Sequence, residues 1–275
     1  MAYIKTRDGT DLYVKEWGQG RPVILTHGWP LAADMWDAQA MALAEAGLRV
    51  IFYDRRGFGR SGQPWDGYDY DTLSDDLADV MQATGAARDA TIVGFSMGGG
   101  EIARYMSRHK GAGVVSAALV SSVVPFMLKT ADNPGGTSQE VFDKITAGLK
   151  ADRAKFYRHT FFPQFFGVSM FDHAVSDDLL DMTTATALHA GLRPTLAAAQ
   201  AFATTDFRPD LPAFTVPTLI IHGTADKTVP IDASGRAAAK AIAGSELIEY
   251  EGEPHGLNAT AGDRLTQDLL EFVRR

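Results

Sequence analysis

Apolar and polar positions along the chain follow two periods, and the way they alternate predicts the architecture. Two short runs of period two open the chain, Tyr3–Lys5 and Asp11–Trp17, and the Asp8-Gly9 pair between them is a hairpin turn signal. The next apolar run, Pro22–Thr26, is continuous, as expected of a strand buried on both faces, and stops at His27-Gly28-Trp29-Pro30. Residues 34 to 46 repeat apolar positions at helical spacing, with Asp34 read as the N-cap and Gly47 as the stop. Arg49–Tyr53 is a second continuous strand, followed by a loop from Asp54 to Ser61. Residues 71 to 84 predict an amphipathic helix closed by Gly85. Ala90–Phe95 then predicts a strand, Met97–Arg108 a helix and Val115–Ser121 a strand. Much later, Thr218–His222 and Glu246–Glu251 predict strands that each lead into a helix.

Continuous apolar strands alternating with helices predict an α/β fold, a mostly parallel sheet covered on both faces. The alternation lapses between about Val123 and Pro212. That interval holds Pro125, Pro134, Pro163, Pro194, Pro209 and Pro212, helical stretches at 138–150, 152–166, 176–190 and 194–203, and no clear strand. The expected organisation is a core of residues 1–122 and 213–275 carrying a helical cap of residues 123–212. Ligands of such a sheet sit beyond the carboxyl ends of its strands.

Composition narrows the chemistry. With 275 residues, 45% of them hydrophobic and 22% charged, the chain can bury a sizeable core. A net charge of −8 with dispersed basic residues argues against nucleic-acid or polybasic membrane binding. The absence of cysteine excludes disulfides, thiolate nucleophiles and Cys-ligated zinc. The N-terminal MAYIKTRDGTDLYV has no apolar h-region, and no stretch approaches about 18 uninterrupted apolar residues. The expectation is a soluble, cytoplasmic protein.

Gly94-Phe95-Ser96-Met97-Gly98 fits G-x-S-x-G and stands between a predicted strand and a predicted helix. A nucleophile at such a turn takes a strained backbone conformation, and small neighbours two residues away give it clearance. The competing reading, a phosphate loop, needs a lysine that Gly98-Gly99-Gly100-Glu101 does not offer. A serine hydroxyl needs a base, and the base needs an orienting acid. His255, in the loop Gly252-Glu253-Pro254-His255-Gly256 beyond the last strand, is the expected base. Asp226, ending Ile221-His222-Gly223-Thr224-Ala225-Asp226, is the expected acid, with Asp232, which also reads as a helix N-cap, as its competitor. His159, His173 and His189 read as surface or packing residues of the cap, and His222 and His27 as structural. The oxyanion donors expected are the backbone N–H of Met97 and that of Trp29, whose indole also suits core packing. No residue cluster has metal-ligand spacing, and no cofactor is expected.

His27-Gly28-Trp29-Pro30, Asp54-Arg55-Arg56-Gly57-Phe58-Gly59-Arg60-Ser61, the serine motif, His222 to Asp226 and Pro254-His255-Gly256 together resemble the α/β-hydrolase fold along the full chain. The resemblance implies an eight-stranded, mostly parallel sheet with the cap inserted between core strands. More narrowly the chain resembles bacterial aryl esterases, lactonases, γ-lactamases and the perhydrolases once named cofactor-free haloperoxidases; Asp54-Arg55-Arg56, the Gly98-to-Glu101 extension and Phe142-Asp143 carry that likeness. It implies a small ester or lactone as substrate, hydrogen peroxide as a possible co-substrate, and self-association into a homo-oligomer as an open question. Through it Pro30 gains one of two roles: shaping the turn, or aiming the Trp29 carbonyl at peroxide. Relatives with an aspartate nucleophile are disfavoured by Ser96. Carbon–carbon bond hydrolases and non-catalytic ligand receptors on the same fold stay open. Within the dense aromatic stretch Phe156–Phe166, Tyr157, Phe161 and Phe165 share one helical stripe and Phe162 and Phe166 its neighbour. Pro30, Phe95, Phe126 and Phe162 are expected to line a small, apolar, short-acyl pocket.

Overall fold

The computed structural model describes residues 2–169 and 174–275. The reading of His173 lies outside the described residues. Eight strands form one sheet in the order β1-β2-β4-β3-β5-β6-β7-β8. β1 (Tyr3–Lys5) and β2 (Asp11–Trp17) make the expected hairpin, whose turn uses Gly9 at φ 89° and Asp8 Oδ1 as acceptor for the Thr10 N–H. β2 runs antiparallel to β4 (Arg49–Tyr53). From there every pairing is parallel, through β3 (Pro22–Thr26), β5 (Ala90–Phe95), β6 (Val114–Val120), β7 (Thr218–Gly223) and β8 (Glu246–Tyr250).

Every residue of β5 and β7 is buried, which explains their unbroken apolar pattern. Each Val, Ile or Leu so withdrawn from water contributes roughly 1.5–3 kcal/mol, an upper estimate before chain entropy. α1 (Asp37–Glu45) and α10 (Gly262–Arg274) pack against each other. α2 (Tyr70–Ala83) packs on α3 (Met97–Arg108). α8 (Gly235–Ala241) covers β7 and β8, and the short α9 (Leu257–Thr260) follows the last strand.

Two predicted caps are corrected. Asp34 caps no helix: it lies inside a 3₁₀ turn, Ala33–Trp36, that precedes α1, and its carboxylate pairs with Lys15 and Arg60. The first N–H of that turn, on Ala33, is taken instead by Asp54 Oδ1 at 2.8 Å, a partner distant in sequence. Asp232 likewise sits within a 3₁₀ turn and pairs with Arg236 one turn on.

Between β6 and β7 come α4 (Gln139–Phe156), α5 (Phe162–Phe165), α6 (Asp177–Leu188) and α7 (Leu192–Thr204), near the predicted helical stretches. Two irregularities interrupt them. Asp152 is non-helical within α4 (φ −158°, ψ 94°), and Tyr157–Phe161 form a π-helical turn. The carboxyl ends of β3 and β5 meet where the strand order reverses, the position at which open α/β sheets bind ligands.

Candidate active site

β5 runs into α3 with a single residue between them, Ser96, at φ 53° and ψ −117°. A side-chain-bearing residue at positive φ is held there by its surroundings rather than by preference. Here the Ser96 N–H donates to the Val120 carbonyl at 2.8 Å, and its own carbonyl accepts from Gly99 and Val123 at 3.0 and 3.3 Å. The flanking glycines are steric necessities. A Cβ on Gly98 would stand 2.7 Å from the Thr26 carbonyl oxygen, and one on Gly94 would stand 2.6 Å from the Gly98 carbonyl carbon. Thus the turn can close only if both positions lack side chains.

The loop after β7 carries Asp226 and the loop after β8 carries His255. His255 Nε2 lies 2.9 Å from Ser96 Oγ, and His255 Nδ1 lies 2.6 Å from Asp226 Oδ2. The geometry sets Nδ1 as the donor to the carboxylate, which leaves Nε2 able to accept the serine proton. Asp226 is 6% exposed and His255 1%. Burial raises the Asp226 pKa, but the His255 charge and a hydrogen bond from His222 outweigh it, and the carboxyl lies below its ordinary value of 3.8. Backbone N–H groups of Thr228 and Val229 donate to Oδ1 at 2.8 and 2.7 Å. Asp232, the alternative acid, pairs with Arg236 on an exposed surface.

The turn after β3 closes the site from the other side. A Cβ on Gly28 would lie 3.1 Å from the Ser96 Cβ and 2.7 Å from the Phe95 ring, so His27-Gly28-Trp29 passes directly over the serine. Met97, the first residue of α3, presents an N–H that has no intrahelical partner. His27 is structural, as expected. Its Nε2 accepts the Arg55 N–H at 2.9 Å, so its proton is on Nδ1, which donates to the Gly28 carbonyl at 2.9 Å. Burial and the Arg55 charge hold the His27 pKa well below its ordinary value. Arg55 is 1% exposed; it donates to the His27 carbonyl at 2.7 Å and pairs with the fully buried Glu101, which also accepts from the Tyr53 hydroxyl. Sequence reasoning missed this buried pair as a support for the turn. Its signal was present in Arg55 and Glu101, which stood out only through family likeness.

Ser96 and His255 open into a cavity of about 430 Å³. Trp29, Val123, Met127, Phe142, Phe161 and Phe202 supply apolar wall, and Thr137, Gln164, Thr228 and Lys227 polar edge. The expected pocket residues are corrected: Pro30, Phe95, Phe126 and Phe162 are not among its lining residues. Phe95 and Phe165 instead flank the His255 ring, with centroids 5.1 and 4.8 Å away. Phe162 is wholly buried among Tyr157, Phe161, Phe165 and Phe166. Phe126 stacks under the Arg208 guanidinium in a separate depression. Pro30 is buried, joined to Trp29 by a cis peptide. The Trp29 indole meets the helical segment, donating to the Thr195 carbonyl at 3.0 Å and packing edge-on against Phe161 and Phe202.

Among the described residues, no group of three or more His, Asp or Glu side chains could hold a metal ion, and no helix is long and apolar enough to cross a membrane. Residues 21–260 match the family model of the alpha/beta hydrolase fold, and the chain belongs to that family. It is 43% identical to a non-heme chloroperoxidase of Kitasatospora aureofaciens and 40% identical to a bifunctional esterase/perhydrolase of Acinetobacter calcoaceticus, each over the whole of both chains. The crystal structure of a bromoperoxidase from Bacillus anthracis superposes with a TM-score of 0.94 at 39% identity, covering 99% of this chain and 100% of that one.

Proposed function

We propose that this protein hydrolyses small carboxylic esters, aryl and short-acyl esters foremost, through an acyl-enzyme on Ser96. The observation that carries the reading is the 2.9 Å contact between Ser96 Oγ and His255 Nε2 at the base of an apolar cavity. The Ser96 proton passes to His255 Nε2 as Oγ bonds to the substrate carbonyl carbon. Asp226 holds His255 in the tautomer that accepts it and stabilises the imidazolium. The carbonyl oxygen, now an oxyanion, takes hydrogen bonds from the Met97 and Trp29 N–H groups. As the carbon–oxygen bond to the leaving alkoxide breaks, His255 returns its proton to that oxygen. Water, deprotonated by His255, then releases the acid and restores Ser96. The helices of residues 123–212 act as a cap that sets substrate size. A lactone fits the same steps.

Hydrogen peroxide can replace water in the second half, giving a peracid. The bifunctional esterase/perhydrolase of Acinetobacter calcoaceticus, 40% identical over the whole chain, favours this second activity. Halide oxidation would then be secondary chemistry of the released peracid.

The test is steady-state hydrolysis of p-nitrophenyl acetate. Ser96→Ala and His255→Ala should each lose several orders of magnitude in kcat. Near wild-type turnover by either variant would end the proposal.

A further inference from the structure

Asp226 faces two histidines, not one. His222, on β7, is wholly buried, and its Nε2 lies 2.9 Å from the Val229 carbonyl and 3.2 Å from Asp226 Oδ2, the oxygen that receives His255. We infer that His222 is a positioning residue of the triad, which shares its Nε2–H between Val229 and Asp226 and so holds Oδ2 in place for His255. This rests on the hydrolase reading above.

The protonation of the ring follows from its surroundings. Nδ1 is buried without a hydrogen-bond partner among the described residues, and a Cβ on Gly235, at the start of α8, would lie 2.9 Å from it. A proton on Nδ1 would therefore be orphaned, while a bare Nε2 lone pair would face two oxygens. Both costs vanish when the proton is on Nε2. The carboxylate then has a donor on every side. Thr228 and Val229 N–H groups hold Oδ1, and His222 and His255 hold Oδ2. Without His222, Oδ2 keeps a single donor and the carboxylate can rotate about the Oδ1 anchors. Val229, whose carbonyl His222 also ties down, is part of the cavity wall. A residue that merely filled space would leave turnover per folded molecule untouched.

The experiment compares His222→Gln, whose side-chain amide nitrogen reaches the position of Nε2, with His222→Asn, whose amide falls short of it. Active sites are counted by the p-nitrophenol burst, so that misfolded protein does not enter kcat. His222→Asn should lose roughly 10–100-fold in kcat per site, the worth of one hydrogen bond to a charged acceptor, with KM changed less than about threefold. His222→Gln should recover most of that loss. An Asn variant within twofold of wild type per site, or a Gln variant as slow as the Asn one, overturns the inference. If neither variant folds, ¹⁵N NMR of the wild-type protein decides: protonated Nε2 on His222 supports the inference, and protonated Nδ1 overturns it. The Ser96→Ala control separates the two ideas. Hydrolysis surviving in Ser96→Ala sinks the hydrolase reading, whereas inert Ser96→Ala beside unimpaired His222→Asn sinks only this one.

Discussion

The two sides of the candidate active-site cavity are built on different terms. The sheet side, made by the turns after β3, β5, β7 and β8, is held by backbone contacts and steric exclusions. Ser96 is clamped by Val120, Val123 and Gly99, and a Cβ on either flanking glycine would strike backbone. The helical side, from α4 to α7, supplies apolar cavity-lining residues such as Phe142, Phe161 and Phe202. Its backbone enters at the Phe165 and Thr195 carbonyls, which accept the Gly256 N–H at 2.9 Å and the Trp29 indole N–H at 3.0 Å. Backbone contacts admit one residue type at each position, whereas an apolar wall accepts any side chain that fills similar space. Reaction geometry should thus be intolerant of substitution on the sheet side, and the helical side should tune substrate choice.

The largest effect expected is on the sheet side. Asp226→Asn should cut kcat by about 10⁴, because the amide can donate to His255 Nδ1 and stabilise the wrong tautomer. The same variant has a pH signature. Asp226 has a folded pKa below its ordinary 3.8, so its anion stabilises the folded state above that pH, and the contribution is lost as pH falls towards the folded value. The part of the stability gap between wild type and Asp226→Asn that depends on this anion should narrow from pH 7 to pH 3, as read by urea unfolding. A gap constant over that range would mean that the anion is not what the fold holds.

A matched pair of alanines addresses the contrast directly. Gly98→Ala places a Cβ 2.7 Å from the Thr26 carbonyl oxygen, against backbone that cannot step aside, and should cost at least 1–3 kcal/mol of stability and most of the activity. Phe202→Ala, on the helical wall, should leave kcat for p-nitrophenyl acetate within about threefold while shifting preference towards longer acyl chains as the cavity enlarges. If Phe202→Ala loses kcat as deeply as Gly98→Ala, the division between the two sides fails.

The smallest effect concerns the partition between water and peroxide. Pro30 follows the Trp29 turn without lining the cavity, so Pro30→Leu should act only through the Trp29 carbonyl. A hydrogen bond of ~1 kcal/mol from that carbonyl to peroxide corresponds to roughly a fivefold shift in the ratio of peracetic acid to acetate formed from methyl acetate. An unchanged ratio would leave Pro30 as a shaping residue of the turn.

Read without a structure, the chain already determined its strand–helix alternation, the helical stretch between β6 and β7, and Ser96, Asp226 and His255 as three residues that come within hydrogen-bond distance in turn. Those features rest on local requirements. A buried parallel strand needs an unbroken apolar run, and a nucleophile turn needs glycine where a Cβ would strike backbone. Partners chosen across long sequence distance were not legible. Asp54, 21 residues from Ala33, displaced Asp34 from its expected cap, and Arg55 and Glu101, 46 apart, became a buried support for the turn over Ser96. The facing of the aromatic stripe was likewise decided only in three dimensions. The π-helical turn at Tyr157–Phe161 and the break at Asp152 depart from a regular 3.6-residue period, and Phe161 lines the cavity while Phe162 packs away from it. A repeating row of phenylalanines specifies that something will be buried, and only the packing around it settles which ring meets the substrate.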